Sequence, residues 1–266
     1  MEQYIIYIII GIIGGLLVGL IGGGIGSIVV PTLIPLLVAQ GVNYDTSVHL
    51  AIGTSLCIVL VTTSIATIGH NFRRLIYWPV LKFLIPSTIA GAIIGSSIAT
   101  LLSGKILQIV FGLFLILTAF FITRIRDHDL SLSKSRDLPA PFKLATVSTI
   151  LAIFSTILGI SDGLLLVPFL KSYKMPMRDT IAIATACAFS ASLAGVIPFL
   201  LTGYLDKNLP ANSFSYIYLP AFIIIALVCC LSTPAGILLN RILPEKKLKS
   251  IFAVFLFAIG IKMLLI

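Results

Sequence analysis

A chain of 266 residues that is 59% hydrophobic and only 10% charged, with a mean hydropathy of +1.16, is no soluble globule, for which about half apolar and about a quarter charged residues are usual. It reads as an all-α polytopic membrane protein. The net charge of +9 does not imply nucleic acid: no basic run with interleaved aromatics occurs, and in membrane proteins excess Lys and Arg mark cytoplasmic loops.

The first apolar run, Ile5–Val38, is too long for a signal-peptide core and lacks a basic leader, so it is expected to be the first membrane element. It covers 34 residues, which would make a helix of ~51 Å against a hydrocarbon core of about 30 Å. Its middle reads "GLIGGGIGSIVVP" (Gly19–Pro31), a poor helix centre. A break or a return to the starting face is expected there. Apolar runs follow at Val48–Gly69, Tyr77–Leu102 and Ile106–Ile122, and "RIRDHDLSLSKSRDLPAP" (Arg124–Pro141) then reads as a charged linker. The second set is Phe142–Leu170, Thr180–Gly203, Tyr216–Leu239 and Leu248–Ile266. Phe142–Leu170 is again long, with "GISDG" (Gly159–Gly163) inside it.

The two sets echo each other. Leu20–Pro31 aligns with Ile157–Pro168, Ala51–Ser55 with Ala182–Ala186, and Tyr77–Pro79 with Tyr218–Pro220, while Gly95 falls opposite Gly236 and Lys105 opposite Lys246. The organisation expected is a first membrane repeat (1–123), a cytoplasmic linker (124–141) and a second membrane repeat (142–266). Each repeat has a broken or re-entrant first helix plus three transmembrane helices. Charge decides between break and re-entry. With eight single crossings the 18 Lys and Arg divide 10 to 8; if the first element of each set doubles back, only Lys105, Lys207 and Lys262 lie on one side and fifteen on the other. The doubled-back arrangement is preferred. It predicts a multi-pass protein of the cytoplasmic (inner) membrane with inverted repeats, both termini outside and the central linker in the cytoplasm. Inverted repeats suit alternating access.

A break at membrane depth frees backbone groups and must be sheltered by protein or a polar cavity. Helix N-termini bind anions, and glycine admits a ligand close to the backbone. Gly22, Gly23, Gly24, Gly26 and Ser27 in the first break, with Gly159, Ser161 and Gly163 in the second, are the candidate substrate-binding residues, and Thr54, Ser55 and Thr185 supply hydroxyls. Glycine as close packing and hydroxyls bonding their own helix are the plainer readings. Asp162 is the acidic residue well inside a segment, a candidate for proton coupling or a cap on the half-helix that follows. His49, His70 and His128 are too scattered for a metal site and read as solvated or interfacial. Trp78, Tyr77, Tyr216 and Tyr218 read as interface anchors. Cys57, Cys187, Cys229 and Cys230 lie in apolar segments and read as small buried hydrophobes. No nucleotide-binding loop, catalytic constellation, cofactor or metal is expected.

The run Gly15–Pro31, followed by Ala51–Ser55 and echoed more weakly by Gly159–Pro168 and Ala182–Ala186, resembles the sulfite exporter TauE/SafE family of membrane transporters over essentially the whole chain. The resemblance implies a secondary carrier of a small sulfur oxyanion or organosulfonate, such as sulfite or sulfoacetate, in the lipid bilayer. A passive channel for anions or small solutes is the alternative. A homodimer is compatible with it. "GISDG" and "AIATA" in the second set depart from the family's glycine run and G-T-S, which implies an asymmetric site.

Overall fold

The computed structural model describes residues 2–21, 23–124, 140–173, 175, 177–206, 209–242 and 245–265. Most of the 124–141 linker therefore lies outside the described residues, as does Gly22 of the first glycine run. The described residues are largely helical. In order come α1 (Glu2–Ile21), α2 (Gly26–Ala39), α3 (Tyr44–Phe72), α4 (Trp78–Leu101), α5 (Gly104–Arg124), α6 (Pro141–Ile157), α7 (Gly163–Lys171) and α8 (Met177–Leu205). A two-residue ribbon follows, β1 (Ser213–Phe214) antiparallel to β2 (Ile217–Tyr218), and then α9 (Leu219–Ile242) and α10 (Glu245–Leu265). The ribbon was not expected from sequence. Among the described residues, four helices are long and apolar enough to span a bilayer: Tyr44–Phe72, Trp78–Leu101, Asp179–Leu205 and Leu219–Gly236.

Both overlong apolar runs are broken where glycine weakens them. The first divides between α1 and α2, where Gly24 takes φ +98°; the second divides between α6 and α7, where Gly159 takes φ +65°. A side chain rarely tolerates that left-handed backbone, so glycine ends the helix cheaply.

Each broken pair turns back on itself. Gln40 closes α2, and its Oε1 accepts a hydrogen bond from the Tyr218 hydroxyl at 3.1 Å. Tyr7, two turns into α1, lies beside that same Gln40–Tyr218 pair. The end of α2 thus sits next to the beginning of α1. In the second pair, Lys143 at the start of α6 stands 5.9 Å from the ring centroid of Tyr173, just past the end of α7. The return leg of α7 has only 9 residues, and the chain beyond it completes the way back.

The remaining helices fall into matched pairs. α3 and α8 each have 29 residues, α4 and α9 each 24, and α5 and α10 each 21. Their partners exchange in the same way: α1 packs on α9 as α6 packs on α4, and α3 on α9 as α8 on α4, while α3–α8 and α5–α10 pair with each other. The matched glycines do the same job. A Cβ on Gly95 would lie 2.4 Å from the Ile153 carbonyl of α6, and one on Gly236 2.4 Å from the Leu16 carbonyl of α1. Leu16 and Ile153 are separated by the same offset as the prolines Pro31 and Pro168. Lipid gives helices no hydrophobic reason to associate, so close backbone approach at small residues supplies the dispersion contacts instead.

Two faces follow from these contacts. One gathers Asp45, whose Oδ1 accepts from the Gly104 amide at 2.6 Å, and Gln108, whose Nε2 donates to the Met263 carbonyl at 2.6 Å. The opposite face gathers Ile76 and Val80 of the α4 entrance with Leu144, Leu170 and Met175 in one buried apolar cluster. Outward-facing Ile8 and Ile12 of α1 and Leu227 and Leu231 of α9 give the molecule an apolar flank suited to lipid.

Candidate functional site

The two breaks meet. A Cβ on Gly23 would stand 2.9 Å from Ser161 Oγ and 3.5 Å from the Leu164 amide nitrogen, and one on Gly26 only 2.2 Å from the Gly159 carbonyl oxygen. The start of α2 therefore touches the second break, and the start of α7 touches the first. Nothing larger than hydrogen fits at Gly26 without moving backbone. The local reason for the first tip is plain. Ser27 donates its hydroxyl to the Gly24 carbonyl at 2.6 Å, and its amide reaches the same oxygen at 3.1 Å. In the second, the Leu164 amide bonds to Ser161 and the Leu165 and Leu166 amides to Asp162. The amides that precede them stay at the open end of the helix.

α3 supplies the brace. Ser55, fully buried, donates to the Gly159 carbonyl at 2.7 Å. Its neighbour Thr54 accepts from the Tyr218 amide at 2.9 Å, so this hydroxyl ties α3 to the ribbon. Thr185, the counterpart of Thr54 on α8, donates to the Ile181 carbonyl of its own helix at 2.7 Å. Gly23, Gly24, Gly26, Ser27, Ser55, Gly159, Ser161, Asp162 and Gly163 thus share one neighbourhood. Thr54 and Thr185 spend their hydroxyls on structure.

Asp162 occupies the N-cap position of α7, but its side chain makes no cap bond. The capping alternative for the carboxylate is therefore set aside. It is 1% exposed; Ser155 Oγ lies 3.5 Å from Oδ1, Cys187 of α8 lies beside it, and Oδ2 has no partner among the described residues. The Ser161 hydroxyl next to it is likewise buried and unpartnered. Buried polar groups without partners are uncommon in folded proteins. Neither break contains Lys or Arg, so the positive character available to a ligand is that of the two helix starts. In this conformation the tips are in contact, and a ligand held between them requires them to part.

Sequence reasoning missed several participants. Ser155 and Cys187 carried no signal in a chain rich in small residues. His49 is not interfacial: it is 7% exposed and bridges α3 to α4. Tyr218 is 8% exposed, and Tyr216 stacks on His49 with ring centroids 5.3 Å apart, so neither is an interface anchor. Trp78, at 51% exposure, does face outward. Cys57, Cys187 and Cys229 are buried free thiols, while Cys230 is half-buried.

The comparisons with known proteins agree with this architecture. The sulfite exporter TauE/SafE family profile matches residues 7–263. A probable membrane transporter protein of Methanocaldococcus jannaschii is 30% identical over 225 residues, covering 82% of this chain and 80% of that one. A probable membrane transporter protein of Haemophilus influenzae is 26% identical, covering 81% and 80%. The probable membrane transporter protein MamO of Magnetospirillum gryphiswaldense is 27% identical across 75% of this chain but only 36% of its own length. No solved structure is a significant match. A polytopic helical chain matched to this family from the first turns of α1 to the end of α10 is a membrane transporter and not an enzyme; it belongs to the sulfite exporter TauE/SafE family.

Proposed function

We propose that this transporter carries small anions by alternating access, and that the cargo is a sulfur oxyanion or organosulfonate such as sulfite or sulfoacetate. The observation that carries the reading is the meeting of the two breaks, with the start of α2 against Gly159 and the start of α7 against Gly23. Two helix starts converging at the depth of the bilayer suit an anion, and Gly23, Gly24, Gly26, Ser27, Ser55, Gly159, Ser161 and Gly163 are the proposed contacts. Gly22 belongs to the same proposal and lies outside the described residues.

The halves, 1–123 and 142–266, read as inverted repeats about an axis in the membrane plane. The matched helix lengths and exchanged partners support this. The uneven distribution of Lys and Arg supports both termini outside and the linker in the cytoplasm of a cell with this protein in its inner membrane. Asp162 carries the coupling proton in this scheme. An ionised carboxylate beside an anion repels it, and protonation on ligand binding removes the conflict.

The test is reconstitution. Proteoliposomes loaded with sulfite or sulfoacetate are expected to take up the labelled anion and to show trans-stimulation. Flux without saturation or trans-stimulation would convert the reading to a passive channel, and no flux or binding for any sulfur anion would remove the cargo assignment.

A further inference from the structure

We infer that the seam between α6 and α8, against which α7 lies, is the passage that opens toward the face bearing the start of α6, and that Ser148 and Thr180 are its water-wetted lining. Ser148 lies on α6 seven residues before Ser155, and Thr180 on α8 seven before Cys187. Seven residues are close to two turns, so each hydroxyl shares a helix face with its deeper neighbour and sits ~10 Å nearer the helix start. Ser155 and Cys187 both lie beside Asp162. The two rows thus lead from the second break toward one face.

Both hydroxyls are at 0% exposure, and neither has a hydrogen-bond partner among the described residues. Hydroxyls in membrane helices ordinarily bond carbonyls of their own helix. Thr149, Ser155 and Thr156 of α6 do so; Ser148 does not. Ser161 Oγ and Asp162 Oδ2 continue the unpartnered set at the break itself. The matched positions of the first half differ. By the offset of Pro31 and Pro168, Ser148 falls opposite Gly11, which packs against Val228. By that of Ala51 and Ala182, Thr180 falls opposite His49, whose ring nitrogens both meet carbonyls. The unpaired hydroxyls are therefore no by-product of the repeated packing.

An unpaired buried hydroxyl is a cost that water relieves. A seam that stays packed gains nothing from it, and Ala152 and Ala184, one turn deeper on each helix, fill the same faces without a polar atom. A seam that is packed in one state and open in another must be wettable, and these hydroxyls find their partners in the open state. Nearer the face, Leu144, Leu170 and Met175 close the seam in this conformation. α6 is seated mainly on α4, where Gly91 and Gly95 bring the backbones together, and only lightly on α8. The α6–α8 contact is therefore the one free to part. Passage of cargo along it rests on the reading of the preceding section; its wetting is tested by itself.

The experiment needs no substrate. Ser148→Cys and Thr180→Cys are made in a protein with Cys187 and Cys230 replaced by alanine and placed in nanodiscs, where both faces meet buffer. Modification by sulfonatoethyl methanethiosulfonate, a charged thiol reagent that travels in water, is followed by intact mass. Both positions are expected to react at least about tenfold faster than Ser96→Cys, a control of equal burial on α4 whose native hydroxyl bonds the Ala92 carbonyl. Ser148→Ala and Thr180→Val should unfold no more than about 2 °C below the parent protein, because neither hydroxyl has a bond to lose. Reaction at either position no faster than at Ser96, or a larger fall in unfolding temperature in either variant, overturns the inference. Reaction at both positions without sulfite uptake leaves the wet passage and removes the carrier; uptake without reaction leaves the carrier and removes the passage.

Discussion

Ser55 gives its hydroxyl hydrogen to the carbonyl oxygen of Gly159 at 2.7 Å, joining residues 104 positions apart and tying the long third helix to the second break. Ser55→Ala leaves a buried carbonyl unpaired, which costs about 1–3 kcal/mol. The variant is expected to unfold at lower temperature in detergent and to transport poorly, while still inserting in the membrane. Thermal unfolding and uptake measured on the same preparation check this.

Gly26→Ala tests the contact between the tips. Its methyl would lie 2.2 Å from the Gly159 oxygen and 2.8 Å from Ile160 Cα, both backbone atoms that cannot swing aside. Overpacking of this kind costs about 1–3 kcal/mol, and transport is expected to fall at least about tenfold. Gly69→Ala is the control, because nothing lies within 4 Å of the added atom. Equal uptake by the two variants would show that the contact is incidental.

The matched glycines make a paired prediction. Gly95→Val and Gly236→Val each drive a side chain into a carbonyl at 2.4 Å, and losses of stability within about 1 kcal/mol of each other are expected. Strongly unequal losses, read from denaturation midpoints, would deny the two halves equivalent packing.

Asp162→Asn keeps the shape of the side chain and removes its proton exchange. In the wild type, uptake is expected to fall as pH rises, because the ionised carboxylate repels the anion. In the variant, uptake should become nearly independent of pH. A pH profile unchanged by the substitution would remove Asp162 from coupling.

Asn43→Cys and Tyr173→Cys report the two reversals. With Cys230 replaced by Ala and the other thiols buried, an impermeant maleimide should label position 43 from outside and position 173 from the cytoplasm. Labelling of both from one side would contradict the proposed orientation.

The outline of the fold was legible because it rests on length and on glycine. A largely apolar run of 34 residues cannot cross a bilayer once without strong tilt, and "GGGIG" marks where it yields. Gly95 and Gly236 could be paired from sequence because both halves keep the same spacing. The site was legible only in part. The glycines and Ser55 stood out by position, but whether a hydroxyl faces a neighbouring element or its own helix depends on rotation about the helix axis, which apolar segments facing protein or lipid do not encode. Thr54 and Thr185 look alike in the aligned halves yet bond differently. The burial of His49 was not legible because both of its ring contacts are to main-chain carbonyls, and a carbonyl has no letter in the sequence.

The exchange of partners between the halves bears on how the protein is made. α1 finds its main neighbour in α9 and α4 finds its own in α6, so neither half can close on itself. At about 5–20 residues per second, the first helix leaves the ribosome some ten to forty seconds before its partner. Through that interval its small-residue face is covered by lipid or by the insertion machinery. Halves synthesised from separate genes should each be degraded alone and rescued when made together in one cell, and stable accumulation of either one by itself would show that the interlocking is dispensable for biogenesis.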